Sequence, residues 1–304
     1  MNLLLAAGAK LDPGTHVQRH GLFKLFGEGD QALWFSNHLL MSLVASAVAI
    51  VVLLLVARQM KPRPEQGAKG YITRGRLGGF FELILVYLRD EAVKPLLRDR
   101  TDKYIGFLWS LFFFILFGNL LGMVPIGPAL GRWVNPDLAH VGGAFTGNIS
   151  FTLGLAVVAC FVWLGAGLRE GGMSYIKHYW VVPLKGQPVW LWPLLIGVGI
   201  GIAVLEVAGN VIIKPFALCV RLLANMMAGH LVLGSIVGMS VMAFSTGSLI
   251  GTGLSFLGAV AISFLELFVA FLQAYIFMFL TTIFISLGLP HDDHEHEGHE
   301  AAAH

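Results

Sequence analysis

Apolar positions in this chain come in long unbroken runs instead of the interrupted stripes of a soluble core. Residues 34–57 form the first run, long enough for one crossing, since a helix needs ~20 residues to span a ~30 Å hydrocarbon core. A second covers 104–124 and ends in GNLLGMVPIGP, where Pro125 and Pro128 stop the helix. A third covers 149–168. Two much longer runs follow, 189–244 and 254–289, with the glycine-rich STGSLIGTG between them. At ~1.5 Å per residue the last run would be on the order of 50 Å long, so it must tilt steeply or break. The simplest arrangement is a hairpin of two long, tilted helices. Between the first two runs, LGGFFELILVYLRDEAVKPLLRDR over 77–100 carries charges at helical spacing and is too charged to span, which predicts an amphipathic helix on the membrane surface.

These runs predict an all-α polytopic membrane protein with about five transmembrane helices, an amphipathic surface helix and a final pair of long, steeply tilted helices. Residues 1–33 read as an extracytoplasmic segment, 34–289 as the membrane domain and 290–304 as a disordered tail. Charge supplies the orientation. Arg58, Lys61, Arg63, Lys69, Arg74 and Arg76 follow the first span, and Arg169, Lys177 and Lys185 follow the third, whereas Arg132 is the sole Lys or Arg between Pro125 and Gly147. The positive-inside rule therefore places the N-terminus outside and the C-terminus in the cytoplasm. The first residues, MNLLLAAGAKLDPG, have no basic region ahead of their short apolar piece, so a cleaved signal peptide is not expected. The tail HDDHEHEGHEAAAH reads as solvated chain before it reads as a metal site.

Composition narrows the function classes. The 304 residues are 56% hydrophobic and 12% charged, with a net charge of +2, and the basic residues lie scattered in loops, which sets nucleic acid aside. Cys160 and Cys219 sit far apart inside apolar runs and read as small hydrophobes, with no disulfide or zinc spacing. No Walker loop or cofactor motif is present, so the chain is not expected to act on a nucleotide by itself. No internal repeat stands out, as a self-contained secondary transporter would require. A purely structural scaffold is the other alternative.

The polar residues inside the last two runs carry the chemistry. KPFALCVRLLANMMAGH places Arg221 in the middle of an apolar stretch, where a charge costs about 3 kcal/mol on insertion scales. Asn225, four residues on, shares its face, and Lys214 falls within about 20° of it, with Ala217, Ala224, Ala228 and Gly229 as small neighbours. Small residues let another helix approach closely. His230, nine residues from Arg221, lies about half a turn away and should face a different partner. On the final run Ser255, Ser263, Glu266 and Gln273 fall within a stripe roughly 80° wide. Intramembrane ionisable groups mark ion pathways and proton relays. His and Glu can exchange protons near neutral pH, whereas a guanidinium keeps its proton. His230 and Glu266 can thus pass protons, and Arg221 can only pair or repel.

At these residues the chain resembles a known family. RLLANMMAGH followed by FLELFVAFLQAYIFMFLTTIFISL, with GNLLGMVPIG and TGNISFTLGLAV before them, is similar to subunit a of the F-type ATP synthase, and the likeness covers roughly 80–289. The resemblance implies proton translocation through two offset half-channels beside a rotating c-ring, coupled to ATP synthesis elsewhere in the complex. The c-ring, peripheral-stalk b subunits and membrane lipid would be the partners, with protons the only small substrate and no cofactor or metal. It implies that Arg221 separates the half-channels and faces the ring's carboxylate, and that His230, Glu266, Gln273 and Asn225 lie on the proton pathway. Positions 230 and 266 hold an acid and a base in the family; here they stand as His and Glu, exchanged relative to some bacterial members.

Two departures limit the transfer. A small hydroxyl residue often stands four before the arginine, where this chain has Ala217. An acidic residue commonly lies seven before the Lys-Pro pair, whereas Glu206 lies eight before Lys214, so Glu206 reads either as a relay or as a carboxylate in an access channel. Asn119 and Asn148 belong to family-like stretches and fit either an access path or interhelical hydrogen bonds. A bacterial inner membrane is the expected location, an organelle membrane the alternative.

Overall fold

The computed structural model describes residues 21–26, 33–60, 75–124, 145–178, 192–245 and 247–289. The basic loop with Lys61, Arg63, Lys69 and Arg74, the loop with Arg132, Lys185 and the tail from residue 290 lie outside them. The chain is an all-α polytopic membrane protein, with one short hairpin among the described residues. Strand β1 (Gly21–Phe26) pairs antiparallel with β2 (Leu33–Ser36), a feature the helical reading does not contain. The aromatic-rich segments GLFKLF and LWFS are good strand formers. The strand pair leads directly into the first helix, α1 (Asn37–Met60).

Among the described residues, five helical stretches are long and apolar enough to cross a membrane. Helix α1 buries Met41, Ala45, Ala49 and Val56 along one face and leaves Leu43, Ile50, Val51 and Leu54 exposed, so both sides are apolar, as a hydrocarbon solvent selects. Helix α2 (Arg76–Tyr87) runs through a π-helical turn at Leu88–Val93 and one α-turn at Lys94–Leu97 to a 3-10 turn at Arg98–Arg100, and α3 (Thr101–Met123) follows. The break between the surface-helix sequence and the span falls at Arg98, which has φ +47. That left-handed region is uncommon outside glycine, and neighbouring contacts hold it. Thr101 donates to the Arg98 carbonyl at 2.6 Å. Ser286 donates to the Leu96 carbonyl at 2.9 Å, tying this corner to the end of the last described helix.

Helix α4 (Ile149–His178) contains a kink at Gly172, φ +48. Just before it, Glu170 gathers Arg100 Nε at 2.9 Å, Lys103 Nζ at 2.6 Å and the Tyr104 hydroxyl at 2.7 Å. One carboxylate thus joins the start of α3 to the end of α4, on the side that carries the basic residues. Helix α5 (Trp192–Ala208) passes through a π-helical turn (Gly209–Ile213) into α6 (Lys214–Ser245), and α7 (Leu249–Gly288) closes the fold. The turn between α6 and α7 is tighter than STGSLIGTG suggests. Gly247 takes φ +72, and the Ser248 hydroxyl accepts from the Gly251 N–H at 3.2 Å. That serine cap starts the last helix five residues ahead of Leu254, because a cap satisfies the orphan N–H groups that hydropathy cannot see.

With 32 and 40 residues, α6 and α7 measure about 48 and 60 Å at 1.5 Å per residue, well beyond a ~30 Å core. They pack on each other along much of their length, and α7 also contacts α3 and α4. The shared core holds Leu108, Phe112, Phe113, Trp163, Leu222 and Phe277. Phe112 meets Phe271 edge-on at 5.5 Å and Trp163 meets Phe284 at 5.0 Å. Lipid tails are as apolar as these side chains, so close packing has to supply the association. At Gly288 an added Cβ would stand 3.3 Å from the Gly167 Cα, which shows how near the α4 and α7 backbones run.

Candidate functional site

Arg221 lies on α6 between Leu218, Leu222 and Met226, which are buried, and Ala217, Ala224 and Ala228, which are exposed. The helix therefore turns a strip of small residues away from the bundle, with a cation inside it. Arg221 Nη1 is buried without a hydrogen-bond partner, and no carboxylate pairs with the guanidinium among the described residues. A desolvated charge in that state is costly unless something else meets it.

One turn along, Asn225 Nδ2 donates to Gln273 Oε1 on α7 at 2.6 Å. Gln273 is 3% exposed, and its own Nε2 is buried without a partner among the described residues. A further turn on, His230 Nδ1 stands 3.3 Å from Glu266 Oε1. Glu266 is 7% exposed, and no well-formed hydrogen bond reaches either carboxylate oxygen among the described residues. The half-turn between Arg221 and His230 thus appears as a division of neighbours. Arg221 stays on the small-residue side, while Asn225 and His230 reach two polar groups on α7.

A cleft of about 280 Å³, counted with its open side, collects Asn119, Asn225, Glu266 and Gln273 among apolar walls from Leu222, Met226 and Val269. Asn119 comes from α3; its Nδ2 reaches the Ala270 carbonyl at 3.4 Å and its Oδ1 is buried without a partner among the described residues. Asn119 therefore makes an interhelical hydrogen bond and also lines the cleft. Asn148 instead starts α4: its Oδ1 accepts from the Ser150 N–H at 2.9 Å.

Lys214 and Glu206 stand apart from the cleft. Lys214 donates to Asn210 Oδ1 and places its ammonium 4.7 Å over the Phe284 ring, so a cation-π contact and the π-helical turn hold it. Glu206 is half-buried on α5, near enough to Lys214 for their charges to interact. On α7, Ser263 Oγ returns to the Ala259 carbonyl at 2.9 Å, one turn back on its own helix.

Gly229 is a site residue that sequence reasoning took only as a small neighbour. A Cβ there would fall 2.9 Å from Glu266 Oε1 and 3.2 Å from its Cδ, closer than real Cβ contacts allow. The signal available in the sequence was its position directly before His230, on the face turned to α7. A Gly229→Ala variant is expected to fold, because the obstructed atoms are the flexible end of a side chain, but to push the carboxylate off His230. If the chain conducts protons as the family resemblance implies, conductance through membranes carrying it should fall several-fold with its amount unchanged, and parental conductance would show that the carboxylate has room to spare.

The sequence profile of the family described as ATP synthase A chain matches residues 39–286. The chain is 34% identical over 280 residues to ATP synthase subunit a of Myxococcus xanthus, covering 90% of this chain and 80% of that protein. It is 34% identical over 308 residues to ATP synthase subunit a 2 of Prosthecochloris aestuarii, covering 96% and 84%. With ATP synthase subunit a of Gluconobacter oxydans it shares 31% over 290 residues, covering 94% of this chain and 100% of that protein. A profile match across all five membrane-length helical stretches and relatives aligned over most of their length lead to one conclusion: this multi-pass membrane protein belongs to the ATP synthase A chain family.

Proposed function

We propose that this chain is the stator channel of an F-type ATP synthase, carrying protons past a ring of c subunits through two half-channels that Arg221 keeps apart. The observation that carries the reading is Arg221, half-buried among small exposed residues, with Nη1 buried without a hydrogen-bond partner and no carboxylate paired with it among the described residues. Its missing partner is then a carboxylate on another subunit. Protons arrive from outside by way of Glu266, His230, Gln273 and Asn225 and neutralise a ring carboxylate, which can then turn into lipid. On the far side the carboxylate releases its proton into the inner half-channel, beside Glu206 and Lys214. Arg221 meets the ionised carboxylate and repels protons that would pass directly between the half-channels.

The protein sits in an inner membrane with its N-terminus outside and its C-terminus in the cytoplasm, residues 34–289 forming the membrane domain and the peripheral-stalk b subunits holding it against the ring. Cross-linking tests the assignment. A cysteine at Ala224 is expected to form a disulfide with a cysteine next to the ring carboxylate in the purified complex. A control cysteine at Leu54, on the outer face of α1, should not. Equal linkage from both positions, or none from Ala224, would overturn the placement of the ring.

A further inference from the structure

The proposed pathway starts at Glu266, which leaves unexplained how a proton reaches that buried carboxylate from the outer face. His38 on α1 is 0% exposed and Asn37 beside it 1%, although both begin a membrane helix where water would be at hand. His38 heads the buried stripe of Met41, Ser42, Ala45 and Ala49 on α1, a helix that packs against α3. The 3-10 turn Phe145–Gly147 contacts α1 as well as α3, α4 and α6. Gly118 on α3 makes room for that turn, because a Cβ there would lie 2.5 Å from the Phe145 ring. The turn carries Thr146, 1% exposed, whose Oγ1 is buried without a hydrogen-bond partner among the described residues.

Asn119 is one residue beyond Gly118 on α3, and it lines the cleft that holds Glu266. Imidazole, hydroxyl and amide groups are thus buried on α1, on the 3-10 turn and on α3, near the outer ends of α1 and α3. Buried polar groups in a membrane bundle are expensive and mark pathways. We infer that His38 is a proton-transfer residue of the outer half-channel, passing protons past Thr146 and Asn119 to Glu266. The inference rests on the proposed function and on the orientation set by the basic loops. A histidine suits the task because it binds and releases a proton within the physiological range.

The test uses the whole complex in vesicles stripped of the catalytic head, where passive proton flux reports the membrane channel alone. His38→Ala should reduce the flux roughly tenfold, less than the ~100-fold or more of a group acting at a reacting atom, since water can stand in for part of the relay. Added imidazole should restore the flux, while pyrazole, of the same size but far less basic, should not. His38→Gln, which keeps shape and polarity without a titrating group, should assemble and show a similar loss, and Thr146→Val a smaller one. Parental flux in assembled His38→Ala or His38→Gln complexes, or equal restoration by pyrazole, would overturn the inference. Normal coupled synthesis by Arg221→Ala would instead overturn the underlying function.

Discussion

An Arg221→Ala complex reconstituted into vesicles is expected to make no ATP from an imposed proton gradient. The reason lies in what the charge does in two places at once. On the proposed function, Arg221 facing the ring would supply the counter-charge that allows a carboxylate to stay ionised in a low-dielectric interface, where an unpaired anion costs several kcal/mol. Facing the pathway, it would raise the electrostatic barrier to a proton moving straight from the outer to the inner side. One elementary charge crossing 100 mV releases about 2.3 kcal/mol, so one ATP needs several protons, and a small leak fraction dissipates the coupling.

Alanine removes both functions and leaves a void among Ala217, Ala224 and Asn225 that water can fill. Arg221→Lys keeps the charge but loses the planar fork and its fixed donors, so synthesis should fall by at least about tenfold, the factor that 1.4 kcal/mol makes in an equilibrium. Proton-driven synthesis at the parental rate by Arg221→Ala would remove the arginine from the mechanism. A normal amount of assembled complex separates this result from a failure to fold.

How much of this was legible beforehand depends on the kind of signal. Arg221, His230 and Glu266 stand out because ionisable groups in apolar runs are rare and expensive, and helical phase alone separates the faces of Arg221 and His230. The Asn225–Gln273 hydrogen bond could not be read, because it depends on the register between α6 and α7, which no single-helix periodicity contains. Gly229 was hidden for the same reason: its role is an empty volume that matters only once Glu266 is placed opposite it. Lys214 was readable as a near neighbour of Arg221 in phase, yet the π-helical turn and Phe284 draw its ammonium elsewhere. The start of α7 at Leu249 was missed since glycines look like breakers, while the Ser248 cap acts through one side-chain oxygen. The β1–β2 pairing was missed since its strands are short and sit beside a far stronger hydropathic signal.

Replacing His230 or Glu266 singly by alanine is expected to slow proton uptake from the outer side by about tenfold or more, whereas exchanging the two residues should preserve a measurable share of it. The geometry gives the reason. At 3.3 Å the imidazole and the carboxylate share one local charge state, and a proton arriving at either alters the affinity of the other. Removing the acid leaves a half-buried imidazole whose protonated form has lost its counter-charge; removing the base leaves a buried carboxylate with the same deficit. The exchange keeps one of each across the same helix contact. Histidine at position 266 would face Gly229, where the missing side chain leaves space for a ring edge, and glutamate at 230 is the smaller occupant of its site. Coupling also predicts that the double alanine variant is little worse than either single one, since the first substitution already breaks the relay. If the two single losses multiply in the double variant and the exchange rescues nothing, the groups act independently, and the contact between α6 and α7 at this point is packing alone.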